Sequence, residues 1–389
     1  MNDSKKPIQK TAKSVKKLNR RTLLASGAAL AAFVPAAPIF VKNAFAATSG
    51  EVNVLMWGEY LPDSVVADFK AKTGITINHT KIGDNGEIIS KMKAGGGAGY
   101  DLASPTNMRA LQWENLGVLQ PFDMNKITNI GNVNAGMVAV GERDWNFGNK
   151  GSHWLPQLWG TESISWRTDK WTPDGLPSFG DIWEPNPGIN GAFMMGRTYS
   201  MMTGCGIWMH HEGKMDFWSS YKDEETMRKN WEIITAYCIS KKSNLVKFWS
   251  GADPQKQGFT SDGVVVGQTW DGPIVSMMKS GEPVAYQTTK EGALAWVDGI
   301  TMSAKAENRD EAYELINYSF TPEVGGLTIN EIGYNSAVIG ASDHYTDETK
   351  AISQAVYPGD TASKLNPWPP EPPWFADARA EYANKFETA

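Results

Sequence analysis

Sixteen tryptophans are the chemically loaded feature of this chain, and Trp57, Trp159, Trp249, Trp270, Trp296 and Trp368 fall at strand ends or in turns, where a ring meets a contact surface. An indole face is electron-rich. Several indoles converging on one cavity attract a cation, above all a methylated onium too apolar to hydrogen-bond, and each dry ring contributes ~0.5–2 kcal/mol. The competing use of the same residues is as ordinary core.

Other chemistries lack their residues. The glycine cluster Gly95-Gly96-Gly97 closes a helical pattern instead of opening one, so no phosphate cradle is expected. His210-His211 has only Glu212 beside it, and neither a metal site nor a cofactor is expected. No serine stands in a nucleophile-elbow context, and no catalytic pair can be singled out among the carboxylates. The chain therefore reads as a binder and not an enzyme, with a periplasmic hydrolase as the second functional class.

The start of the chain is an address. Lysines 5, 6, 10, 13, 16 and 17 lead into Asn19-Arg20-Arg21-Thr22-Leu23-Leu24, an apolar run broken by Pro35 and Pro38, and small residues ending at Ala46. This is the pattern of a twin-arginine export signal, residues 1–46, cleaved after Ala46 and delivering the mature chain to the periplasm. Its removal leaves 28 basic against 42 acidic residues. That balance disfavours nucleic acid and anionic lipid, and no later stretch is apolar enough to span a bilayer. Cys205 and Cys238 can pair in an oxidising compartment or remain buried thiols; both readings stand.

The elements that must position the aromatic residues follow from periodicity. Glu51–Trp57 reads as a strand ending at the loop Gly58-Glu59-Tyr60; Asp63 to Gly74 as a helix; Ile75–Ile82 as a strand; Asn85–Ala94 as a helix; Tyr100–Ser104 as a strand. This alternation is the grammar of a parallel α/β sheet, in which ligands bind beyond the carboxyl ends of strands, here at Trp57–Tyr60 and Pro105–Asn107. Residues 123–152 read as irregular surface with short helical pieces. Thr161–Trp166, Ala192–Met195 and Val264–Trp270 read as strands, Ser178–Trp183, Glu224–Ser240 and Asp310–Tyr318 as helices, and Pro367–Trp374 as extended chain.

The segments Leu55-Met56-Trp57-Gly58-Glu59-Tyr60-Leu61-Pro62, Tyr100-Asp101-Leu102-Ala103-Ser104-Pro105-Thr106, Leu155–Thr161, Trp270-Asp271-Gly272, Trp296-Val297-Asp298-Gly299 and Glu331–Asn335 stand in an order that resembles the bacterial spermidine/putrescine-binding proteins. The resemblance runs through nearly the whole mature chain. It implies a two-lobed α/β clamp of the type II periplasmic binding-protein class. Each lobe is a mainly parallel sheet flanked by helices, lobe 1 comprising 47–158 plus 298–337 and lobe 2 comprising 159–297 plus 338–389. Crossovers are expected near Trp159, near Trp296 and after Tyr334. The implied partners are a small solute and an ABC permease with its ATPase; a monomer is expected.

Carried over by position, the resemblance implicates Trp57, Glu59, Tyr60, Thr106, Ser250, Trp270, Trp296, Asp298 and Tyr334 as cleft residues. One departure stands out. Where polyamine binders place acidic residues at the start of the second lobe, this chain reads Gly196-Arg197-Thr198-Tyr199-Ser200-Met201, and no Asp or Glu occurs between Glu184 and Glu212. Met108 and Pro369 stand where the family commonly has tyrosine and glutamine. Arg197, Thr198 and Ser200 could receive a carboxylate tail while the rings and Asp298 hold a positive head. The expected ligand is a betaine-like osmolyte such as glycine betaine or dimethylsulfoniopropionate, with choline or a polyamine as the alternative.

Overall fold

The computed structural model describes residues 50–389 except 186–188 and 190. The expected export segment lies outside the described residues. The first α/β run forms as its periodicity requires: β1 (Glu51–Trp57), α1 (Asp63–Thr73), β2 (Thr76–Ile82), α2 (Asn85–Gly95) and β3 (Leu102–Ala103). Val65 and Phe69 are the buried face of α1, and the Asp84 carboxylate caps α2 by accepting the Glu87 N–H. Strand β3 is shorter than the Tyr100–Ser104 expectation, because only two of its residues pair in register with β1.

Next come α3 (Ala110–Trp113), β4 (Leu119–Gln120) and α4 (Ala135–Asp144), followed by the long β5 (Leu155–Arg167). The short helical pieces expected in 123–152 include one regular helix, α4, whose cap is the Asn134 side chain. The second half is built from β6 (Met194–Gly196), α5 (Thr198–His211), α6 (Glu224–Ser240), β7 (Leu245–Phe248), α7 (Ala252–Thr260), β8 (Val266–Trp270), α8 (Asp271–Lys279) and β9 (Val284–Gln287). After β10 (Leu294–Ser303), the chain adds α9 (Arg309–Ser319), α10 (Pro322–Ile332), β11 (Asn335–Ser336), α11 (Asp347–Val356), β12 (Asn366–Pro367) and α12 (Pro373–Thr388).

Helices α3, α7, α8, α10 and α11 also lie outside the elements read from periodicity, and two more, α5 and α12, escaped it for definite physical reasons. Helix α5 is buried on nearly every side, so it has no polar stripe to betray a 3.6-residue repeat. Helix α12 begins at Pro373, inside the run expected to stay extended. A proline at the first helical position costs no hydrogen bond, so the proline-rich segment is extended only as far as Pro372. Cys205 on α5 and Cys238 on α6 are both buried free thiols.

The sheet order is β2-β1-β3-β10-β5-β8-β6-β7. Strands β2, β1 and β3 are mutually parallel, as are β8, β6 and β7, and each trio meets an antiparallel strand: β3 pairs with β10, and β8 with β5. Strands β10 and β5 then pair with each other. The result is two mainly parallel lobes joined through two long antiparallel strands. Strand β11 pairs with β5 at Leu158 and Trp159, so the three expected crossover segments are hydrogen-bonded neighbours.

The junction is tightly packed. A Cβ on Gly299, just after the register shift that follows Asp298, would lie 2.2 Å from the Trp154 ring and 2.3 Å from the Leu155 carbonyl oxygen. Neither is a flexible chain end. Gly299→Ala is expected to lower unfolding free energy by about 1–3 kcal/mol, read from the midpoint of urea unfolding at unchanged slope.

Candidate functional site

Strand register fixes which side chains share a wall. Trp296 on β10 is opposite Gly160 on β5, Leu294 is opposite Glu162, and Glu162 is opposite Trp270 on β8. Directly paired residues, and residues two apart on one strand, point to the same face. Glu162, Trp270, Trp296 and Asp298 therefore share one side of the joined sheet. The Trp296 ring lies across Gly160, where a Cβ would stand 2.4 Å from it, so only glycine lets the indole lie down on β5.

The loops beyond the carboxyl ends of β1 and β3 supply the opposite wall. Trp57 anchors its indole N–H on the Ser104 carbonyl at 2.9 Å, and the Tyr60 N–H closes a turn onto the Trp57 carbonyl at 3.2 Å. Asn85 locks the second loop by bonding both the N–H and the hydroxyl of Thr106, at 3.0 and 2.8 Å.

Between these walls the rings form an unbroken chain. Centroid separations are 5.0 Å for Trp249–Trp270, 6.0 Å for Trp270–Trp57, 6.3 Å for Trp57–Tyr60, 5.8 Å for Tyr60–Tyr334 and 5.3 Å for Tyr334–Trp296. Four of the five pairs meet nearly edge to face, which satisfies the ring quadrupoles and leaves other faces toward the cavity.

The cavity encloses about 460 Å³ including its open mouth. Trp57, Glu59, Tyr60, Thr106, Arg197, Trp270, Trp296, Asp298 and Tyr334 all line it. Two residues expected in the site are elsewhere. The Thr198 hydroxyl is taken by Glu387 on α12, because the first turn of α5 carries it toward that helix. Ser250 is exposed beyond β7 and does not border the cavity.

Ser200, expected beside Arg197, lines the cavity too, as do five residues outside the expected set: Asn85, Met108, Glu162, Tyr199 and Trp368. Glu162 corrects the expectation that the second-lobe wall lacks a carboxylate. None occurs between Glu184 and Glu212, but β5 delivers one from upstream. The signal was an acidic residue in the middle of a strand that is otherwise buried throughout.

Both buried acids are strained electrostatically. Burial raises the Asp298 carboxyl to about 7, against the opposing hydrogen bonds of Thr106 and Tyr60. The Tyr60 hydroxyl donates to its Oδ2, while Oδ1 has no well-formed hydrogen bond from the protein. Burial likewise raises Glu162 to about 7, although Gln268 donates to it at 2.9 Å and Arg197 stands nearby. Glu59 at the mouth is raised by burial as well. The arrangement favours a cationic guest, which would supply the charge that makes ionised carboxyls tolerable there.

Residues 64–351 match the model of the family described as bacterial extracellular solute-binding protein. The spermidine/putrescine-binding periplasmic protein of Escherichia coli (strain K12) is 25% identical over 316 residues, spanning 80% of this chain and 84% of the relative. The spermidine/putrescine-binding periplasmic protein 1 of Haemophilus influenzae is 25% identical over 327 residues, spanning 84% and 86%. The solved spermidine/putrescine ABC transporter substrate-binding protein PotD of Streptococcus pneumoniae superposes with a TM-score of 0.68 at 21% identity, over 87% of this chain and 98% of that one, which shows the two-lobed fold. With its two parallel-sheet lobes and its match across most of the sequence, the chain belongs to the bacterial extracellular solute-binding proteins.

Proposed function

We propose that this chain is the periplasmic solute-capturing component of an ABC importer, and that its solute is a small organic cation. The observation that carries the reading is the ring chain from Trp249 to Trp296 closing around the buried, incompletely hydrogen-bonded Asp298. Capture needs no covalent step. The lobes, divided as lobe 1 (47–158 plus 298–337) and lobe 2 (159–297 plus 338–389), draw together on the guest, and the closed form docks on the permease. Export by the twin-arginine route fits this placement, and among the described residues no helix is long and apolar enough to cross a membrane. We expect the mature protein to act as a monomer.

Two kinds of cationic head fit the box. The names of the curated relatives support a polyamine, and the Oδ1 of Asp298, which has no well-formed hydrogen bond, supports it too, since a primary ammonium brings a strong N–H donor. Glu162 adds a second acid on the same face of the sheet. The second reading is a methylated onium head, as in choline, glycine betaine or dimethylsulfoniopropionate. The continuous aromatic lining favours it, because an onium without N–H groups gains most from ring faces.

Calorimetry with putrescine, spermidine, choline and glycine betaine is expected to show stoichiometric binding of at least one, recovered chemically unchanged. For whichever binds, Trp270→Ala is expected to weaken affinity by about fivefold or more. Failure of all four would end the small-cation reading.

A cation stabilises the ionised carboxylate, so its binding releases the proton that burial holds on Asp298. Choline or putrescine affinity is expected to rise as pH passes from 6 to 8 through the Asp298 value of about 7. Without ligand the dependence is reversed. Asp298 and Glu162 keep protons in the folded state up to about 7 that the unfolded chain releases in the ordinary carboxylate range. Their contribution to stability is full below that range and lost as pH climbs through 7. The unliganded melting temperature is expected to fall from pH 5.5 to pH 8, and ligand to restore more of it at pH 8.

A further inference from the structure

The part of the cavity lined by Tyr199 and Trp270 is built around a cation belonging to the protein. The Arg197 guanidinium lies over the Tyr199 ring at 4.9 Å and over the Trp270 ring at 5.5 Å. Ring contacts engage the faces of a guanidinium and leave its N–H edges available. Among the described residues those edges have no acceptor at hydrogen-bond distance and no carboxylate within 4.0 Å, while Arg197 itself lines the cavity.

The surroundings do not neutralise it. Arg379 covers Tyr199 at 4.2 Å, so that one ring is flanked by two guanidinium groups. The buried acid Glu371 is shared between Arg379 and Arg109, leaving that cluster one positive charge in excess. Glu162 is the remaining acid on this wall, and burial keeps part of it protonated at neutral pH. The Ser200 hydroxyl lies against Glu162, in the first turn of α5 where unpaired backbone N–H groups favour negative charge.

We propose that this wall is an anion subsite and that Arg197 is the specificity-determining residue that receives a carboxylate of the solute. The solute is then a zwitterion, an onium or ammonium head at Asp298 with a carboxylate at Arg197. A second ammonium on this wall would face Arg197 directly. The inference rests on the cation-head reading and narrows it to compact amino or onium carboxylates.

Two ligand pairs test it, each matched at the head and differing at the tail: glycine betaine against choline, and 4-aminobutyrate against putrescine. In calorimetry on the intact mature protein, the carboxylate member is expected to bind at least about tenfold more tightly in any pair that binds. Arg197→Gln is expected to remove that preference by weakening the carboxylate member at least about tenfold, while putrescine, freed of the facing guanidinium, binds at least as tightly as to the unchanged protein. Arg197→Lys, which keeps the charge but loses the fork, is expected to retain an intermediate preference. Unchanged melting temperature and circular dichroism establish that the variants are folded; should the Gln variant unfold, the Lys variant carries the comparison. Choline or putrescine equalling or beating its carboxylate partner overturns the anion subsite and leaves the cation head standing, as does a preference that survives Arg197→Gln. Binding by none of the four overturns both.

Discussion

An acid buried among aromatic rings is an unfinished interaction. Asp298 sits at the junction of the two lobes with one oxygen held by Tyr60 and the other without a well-formed partner, and burial alone pushes its carboxyl toward neutrality. Ionising it there is costly unless positive charge arrives with the solvent excluded. Ring faces and carboxylate then act on the same guest: the faces reward a desolvated cation, and the cation makes the carboxylate tolerable. In the proposed reading, the site is completed by its ligand.

The fold serves that junction. Each lobe contributes three parallel strands, and the two trios are tied through β10 and β5, whose pairing determines that Trp296, Glu162 and Trp270 present to a common face. Gly160 and Gly299 permit the close approach of Trp296 and Trp154 at this crossing, where any side chain would force the strands apart. A clamp that closes around a solute needs a stiff sheet in each half and a connection confined to few strands. The antiparallel pair provides that connection and also carries the acids.

The charge distribution along the cavity separates this chain from a simple cage for cations. Asp298 on β10 is bridged to Thr106 and Glu59 follows β1, whereas Arg197 immediately precedes α5 and is backed by Arg379 and Arg109. The C-terminal segment takes part in both features. Trp368 lines the cavity, and Glu371 joins the buried arginines while its N–H reaches the Met108 carbonyl at 3.1 Å.

The sequence alone determined the alternation of strands and helices at the start of the chain, because apolar spacing, an acidic cap and a closing glycine are local signals that read directly from residues 51 to 96. It also determined that aromatic residues cluster at the ends of those strands, and ten of the twelve residues it nominated line one cavity. Register is not local. Whether Glu162 faces the solute or the core depends on which residue of β10 and of β8 it pairs with, a choice made by chain segments more than a hundred residues away. The same holds for Thr198, turned toward Glu387 by the first turn of α5, and for Ser250, left outside. Helix α5 was illegible because burial on all sides erases periodicity, and α12 because a proline that opens a helix looks the same in sequence as one that prevents it. Tertiary packing decided where the charges meet, since electrostatics depends on distances through space that sequence separation does not encode.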